Sequence, residues 1–202
     1  MDDTSTYKAA GDTEISDEAL MNRVKTGDND ALAVLVRRYE QPLFNYACKM
    51  LGNRSDAEDV FQETFLRVHL HGHRFWGNAP FRPWLYRIAT NLCKDRLRYR
   101  KRRPEVPVSA LHRDEDWPDP VAQWAATSNR PDEAAQASER SVIMERALAD
   151  LSVKHRAVFL MAHQEGLSYA EIARALWIPV GTVKSRMNKA VNQLLAAMEA
   201  ME

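Results

Sequence analysis

Apolar residues recur along most of this 202-residue chain at three- and four-residue intervals, the spacing of one face of an α-helix. The clearest instance is residues 167–195, LSYAEIARALWIPVGTVKSRMNKAVNQLL. Ser168 is placed to cap a helix, and Glu171 three residues on completes a capping box. Ile172, Ala173 and Leu176 then share a face. Pro179 cannot continue that helix and biases Ile178 away from the α region. Gly181 relaxes the turn, and Thr182 helps start a second helix. In that helix Val183, Met187, Val191 and Leu194 form an apolar stripe, leaving Thr182, Lys184, Ser185, Arg186, Asn188 and Lys189 on the other face. A short helix, a tight turn and a longer helix with a basic outer face make a helix-turn-helix. The same pattern also describes a plain αα-hairpin with a solvated charged face.

Earlier in the chain the pattern predicts further helices. Residues 1–15 have little to bury and read as a disordered tail. A helix begins near Ser16, with Ala19, Leu20 and Val24 behind it, and Gly27-Asp28 breaks it. Asp30 is expected to cap the next, in which Leu32, Leu35, Val36 and Tyr39 repeat; it runs to Met50 with a bend or restart at Pro42. Gly52-Asn53 ends it. Ser55 is then expected as an N-cap, with Asp56, Glu58 and Asp59 in a first turn whose dipole favours negative charge. Val60, Phe61, Thr64, Phe65 and Val68 supply that helix's buried side; Asp56, Asp59, Gln62, Glu63 and Arg67 are left outside.

Residues 77–80, Gly-Asn-Ala-Pro, form a loop by their turn chemistry, and Pro83 fits the first turn of the helix that follows. There Trp84, Leu85, Ile88, Leu92 and Leu97 can face a core, while Arg82, Arg87, Asn91, Lys94 and Arg98 face outward. Pro, Ser, Asp and Ala break the periodicity over 104–131, which reads as a flexible linker, although Trp117 and Trp124 are unusual in one. Helical spacing resumes near Asp132, and Ser152 caps a helix that Gly166 ends. No period-two pattern persists. The predicted fold is all-α, with two small helical domains at 16–103 and 132–202.

Charge changes this picture more than composition does. Lys plus Arg and Asp plus Glu are both 28, so the formal net charge is zero. Residues 82–103 nevertheless carry nine bases against Asp95 alone, and the sign reverses over 104–140. A local basic block of this kind suits a polyanion partner. Aromatic residues at the start of the block, an amide at Asn91 and a basic tail are groups that opened DNA can use: rings stack on bases, an amide reads a base edge, guanidiniums hold phosphates. Phe75, Trp76, Phe81 and Trp84 are equally readable as core, and Trp84 is expected there.

No apolar run is long enough to span a bilayer, and the acidic N-terminus lacks the apolar centre of a secretory signal. Cys48 and Cys93 read as buried free thiols, consistent with a reducing cytoplasm. His69, His71 and His73 alternate, which on a helix points them in different directions, so exposed imidazoles are favoured over a metal site. No nucleophile, base and orienting group stand together at readable spacing, so catalysis is not expected, nor is any cofactor.

Three segments, AEDVFQETFLRV, FRPWLYRIATNLCKDRLR and LSYAEIARALWIPVGTVKSRMNKAV, together resemble the group IV (extracytoplasmic-function) sigma factors of bacterial RNA polymerase, in that family's order and spacing. The resemblance covers roughly residues 16–195. It implies that 16–103 is sigma region 2 and 132–202 sigma region 4. It further implies that Asp56, Asp59, Gln62 and Glu63 contact the clamp coiled coil of the largest polymerase subunit, with the flap as a second docking point for the chain. Asn78, Ala79, Phe81, Trp84, Asn91, Lys94 and Arg98 would open and read the −10 promoter element, Asn91 beside a flipped base. The basic run from Arg96 to Arg103 would hold phosphates. Thr182, Lys184, Ser185, Arg186, Asn188 and Lys189 would contact the −35 element in the major groove, with Arg186 on a base edge. The acidic linker would thread through the polymerase cleft. An anti-sigma factor is implied as a further partner. Pro80, Pro83, Trp177 and Ile178 depart from the family's usual residues.

Two other readings fit the residues taken alone. A two-domain transcriptional regulator would bind duplex promoter DNA tightly without polymerase. An all-α adaptor would show no salt-dependent affinity for DNA.

Overall fold

The computed structural model describes residues 15–75, 79–102 and 143–200. The expected N-terminal tail apart from Ile15, the linker and the loop residues Trp76, Gly77 and Asn78 lie outside them, as do Trp117 and Trp124. Among the described residues every regular element is helical.

Four helices make the first lobe: α1 (Asp17–Lys25), α2 (Asn29–Leu51), α3 (Arg54–His71) and α4 (Phe81–Arg102). Ser16 caps α1, accepting from the Ala19 amide at 3.2 Å. The cap of α2 is Asp28 rather than Asp30, accepting from the Ala31 amide at 3.0 Å. Asp28 also takes the Arg23 guanidinium, so one carboxylate ties the end of α1 to the start of α2. Pro42 does not restart α2, which is continuous through it, and the residue lies on the exposed face. Gly52 leaves α2 in the left-handed region at φ 63°, and Asn53 immediately caps α3 in place of the expected Ser55. The chain turns so tightly there that Asn53 already holds the Asp56 amide at 2.8 Å, and Ser55 falls within the first turn.

The core of this lobe is packed from Leu35, Leu43, Tyr46 and Met50 of α2 against Leu85, Tyr86 and Ala89 of α4. Two buried hydroxyls are satisfied internally. Thr90 donates to the Tyr86 carbonyl at 2.6 Å, which leaves Tyr46 to donate to Thr90 at 2.7 Å. The Glu18 carboxylate accepts from the Phe81 amide at 2.8 Å, placing negative charge at the N-terminus of α4.

The second lobe comprises helical residues 143–150 (α5), then α6 (Val153–His163), α7 (Tyr169–Leu176) and α8 (Val180–Glu199). The capping box forms: Ser168 accepts from the Glu171 amide, and Glu171 accepts from the Ser168 amide at 2.8 Å. The turn into α8 differs from expectation. Gly181 is not part of the turn but sits inside α8 with open space around it, and Trp177 makes the turn in the left-handed conformation, at φ 54°. Thr182 is likewise inside the helix, which starts two residues earlier behind Pro179. Val183, Met187, Ala190 and Leu194 of α8 are buried, with Val191 half-buried at the edge.

The lobes touch. α4 packs on α7 and α6, and α2 on α6.

Candidate nucleic-acid interface

Helix α4 carries the first set of predicted groups. Asn91 and Arg98 are exposed, and Arg98 is steadied by Asp95 at 2.9 Å. Lys94 is half-buried; burial, with the neighbouring Arg186 and Arg98 charges, holds its ammonium below the ordinary lysine value. Trp84 is half-buried against Phe75 and Phe81 rather than fully inside the core. Ala79 is half-buried and Asn78 is not among the described residues. Phe81 is 0 % exposed, its edge packed against Tyr39 at 5.6 Å between centroids. A ring so enclosed cannot stack on a base, so Phe81 supports the start of α4 and is removed from the reading set.

Two members of the predicted phosphate-holding run are also spent internally. Arg96 donates to Asp56 at 2.6 Å and also pairs with Asp59, while Arg100 pairs with Asp56 and donates to the Leu51 carbonyl at 3.1 Å. Asp56 is itself buried. Its carboxylate therefore holds α4 against α3 instead of lining an outer surface, which removes it from the predicted polymerase contacts. Arg98, Lys101 and Arg102 keep exposed positions. Arg103 lies outside the described residues.

Between α3 and α4 runs an open groove of about 780 Å³. Asp59, Gln62 and Glu63 line its α3 side, as does Leu66; Leu92 and Tyr99 line the α4 side. Leu66 and Tyr99 are apolar yet 50% and 54% exposed. Neither was singled out in the sequence. The signal was there: 59, 62, 63 and 66 are one helical face, and a leucine ends an otherwise polar stripe. An apolar floor with carboxylates on the rim fits a protein surface that brings both apolar and basic groups.

On α8 the second predicted set shares one side of the helix. Lys184, Ser185, Asn188 and Lys189 are exposed, while Thr182 and Arg186 are half-buried. The Ser185 hydroxyl donates to the Thr182 carbonyl at 3.1 Å. Arg186 bears on the charges of Lys94 and of His155, so the predicted −35 face stands close to the predicted −10 face.

The other candidate chemistry is quiet. Cys93 is buried and Cys48 mostly so; burial pushes their thiols up to about 12 and about 11, which suppresses the reactive thiolate. His69, His71 and His73 are exposed where α3 ends in a 3-10 turn.

Comparison with known proteins agrees with this arrangement. Residues 35–103 match sigma-70 region 2, and residues 141–194 match sigma-70 region 4. The ECF RNA polymerase sigma factor SigW of Bacillus subtilis is 36% identical over 169 residues, 84% of this chain and 89% of that one. The ECF RNA polymerase sigma-E factor of Haemophilus influenzae is 32% identical over 177 residues, 88% and 92% of the two chains. The solved structure of CnrH in complex with the cytosolic domain of CnrY superimposes with a TM-score of 0.65 at 23% identity, over 92% of this chain and 99% of that one. Two lobes with the expected helices, two family matches in the right order and relatives that align nearly end to end leave one assignment: the chain belongs to the extracytoplasmic-function group of the sigma-70 family, the RNA polymerase sigma factors.

Proposed function

We propose that this chain docks on core RNA polymerase through the α3–α4 groove, reads the −10 element with α4 and reads the −35 element with α8. The observation that carries the reading is the pairing of two exposed polar helix faces, one per lobe, with a separate apolar-floored groove that neither face uses. Asp59, Gln62 and Glu63 meet basic groups of the polymerase clamp, with Leu66 and Tyr99 beneath them. Ala79, Trp84, Asn91, Lys94 and Arg98 engage the opened −10 strand, Asn91 holding a displaced base whose unstacking costs a few kcal/mol. Lys184, Ser185, Arg186, Asn188 and Lys189 enter the major groove at −35, with Thr182 at its edge. The chain makes no bond itself. It acts in the cytoplasm, where polymerase is, and an anti-sigma factor covering the same faces controls it; RpoE of Bartonella quintana, similar in fold at a TM-score of 0.59, was solved with the anti-sigma factor NepR.

The test is run-off transcription by purified core enzyme on a library of genomic promoters, with and without the chain. Promoter-dependent transcripts with a shared pair of boxes support the reading, and a lack of any transcript on any template overturns it. In the same assay Arg186→Ala is expected to cost about 1–3 kcal/mol at one −35 base position. Unchanged preference at every position would remove Arg186 from the groove.

A further inference from the structure

The described residues include five glycines, and four of them have a reason inside the chain. Gly27, Gly52 and Gly166 take positive φ, where other residues are strained. A Cβ on Gly72 would strike the Met21 side chain. Gly181 meets neither condition. Its φ is not positive, and nothing of the protein lies within 4 Å of where its Cβ would stand. It is the second residue of α8, past the turn at Trp177 and the Pro179 cap. Alanine there would make the better helix, because glycine gives up more backbone freedom on folding. A residue that weakens its helix and relieves nothing within the fold points outside the fold. Glycine also stands where a backbone must come close to a ligand.

Its place on α8 agrees. Residues 181, 184, 185 and 188 follow at i, i+3, i+4 and i+7, and all four are exposed. Gly181 is therefore the leading member of the stripe that carries Lys184, Ser185 and Asn188. Beside it Val180 begins the helix with its side chain 41% exposed, an apolar residue at the head of a polar face. A recognition helix enters the major groove with its N-terminal residues toward the base edges. The groove is about 12 Å wide, and a helix with its side chains is about 10–12 Å across. The leading side chains thus set how deep the helix sits.

We propose that Val180 and Gly181 form the leading edge of the −35 reading site: the bare backbone at Gly181 lets α8 descend to the base edges, and the Val180 side chain then lies against the C5-methyl of a thymine. The proposal rests on the assignment of α8 to the −35 element. It gives the two residues separate tasks. Gly181 is a positioning residue, useful for the side chain it lacks, and the depth it permits brings Lys184 and Ser185 within reach of bases. Val180 is a reader. Thymine is the base that offers a methyl group in the major groove, where the other edges offer donors and acceptors. A valine covers such polar edges without satisfying them, which disfavours them.

The test uses promoters selected in the run-off assay and holoenzyme assembled from core enzyme and the full chain, carrying Gly181→Ala, Val180→Ala or neither. Promoter affinity is read from half-saturation of open-complex formation, beside core-enzyme affinity and the thermal melt of each free chain. In further templates each thymine of the −35 box, on either strand, is replaced in turn by uracil, which removes only the C5-methyl. The Gly181→Ala chain is expected to keep its affinity for core enzyme and to melt at the parent temperature or about 1–4 °C higher. Its holoenzyme should bind promoter about tenfold more weakly, because a helix held back by one methyl group loses a base contact. One uracil should weaken the parent holoenzyme about fourfold, the worth of a buried methyl group, and leave the Val180→Ala holoenzyme unmoved. A Gly181→Ala chain that melts lower would give the glycine a reason within the fold, and unaltered promoter affinity would leave it no closer to DNA than its neighbours; either overturns its role. A parent holoenzyme indifferent to every thymine methyl, or a Val180→Ala holoenzyme as sensitive as the parent, overturns that of Val180. Arg186→Ala keeps the underlying reading separate. If it alters −35 preference while the other two variants do not, α8 reads without this leading edge; if none of the three does, the assignment of α8 to the −35 element fails.

Discussion

Leu66→Glu is expected to cost about 2–4 kcal/mol in binding to core RNA polymerase, at least thirtyfold in affinity, with little change in thermal stability. Leu66 is half-exposed at the floor of the α3–α4 groove, so the free lobe gains almost nothing from it. Substitution of such a residue normally moves stability by no more than about 0.5 kcal/mol. Docked, the same side chain is the apolar centre of a rim made by Asp59, Gln62 and Glu63. A glutamate there loses the apolar contact, must be desolvated, and adds like charge beside two carboxylates. Titration of labelled core enzyme with parent and variant chains, alongside thermal melts, measures both effects. Equal affinities would place polymerase elsewhere on the molecule.

Arg156→Leu is the largest expected loss of stability, about 3 kcal/mol and therefore a fall in melting temperature of about 6–12 °C. Arg156 is 8 % exposed, and the carboxylate whose charge bears on it, Asp150, is exposed. Its guanidinium instead serves three carbonyls, those of Met50, Ala149 and Leu151. A leucine fills much of the volume but leaves those acceptors in a nearly dry setting. The first of them belongs to the other lobe, so the variant should also weaken the contact between the lobes. Calorimetry on the intact chain reads the melting temperature; a shift under 2 °C, about the effect of less than 1 kcal/mol, would show that water replaces the guanidinium without cost.

Local signals in the sequence carried far, and they failed in an informative way. The Ser168–Glu171 capping box is self-contained within four residues, and it forms as read. Ser55 and Asp30 were reasonable caps by residue type, yet Asn53 and Asp28 hold those places, because Gly52 and Gly27 turn the chain sooner than composition indicates. Gly181 reads as the residue that relaxes the turn, yet it lies inside α8, and Trp177 takes the left-handed conformation, its side chain lying beneath Arg87 from another lobe. Helical spacing puts Asp56 on an outer face, and the family resemblance gives Phe81 a reading role although the pattern also allows it in the core; both are buried by partners far along the chain. Leu66 was overlooked because a lone leucine on a polar face looks like noise until the groove around it is seen. The contact between Tyr86 and Glu165 spans 79 residues, beyond the reach of any periodicity.

The Met50 carbonyl is one of the last acceptors of α2, a group that helix geometry leaves without an internal donor. Here the donor comes from α6, across the lobe boundary. Arg100 of the same lobe serves the neighbouring Leu51 carbonyl, so only the Met50 acceptor of that final turn depends on the halves staying together. Deuterium uptake by the amides around residue 50 then serves as a built-in gauge of domain separation, legible in the unlabelled protein and in any complex it joins.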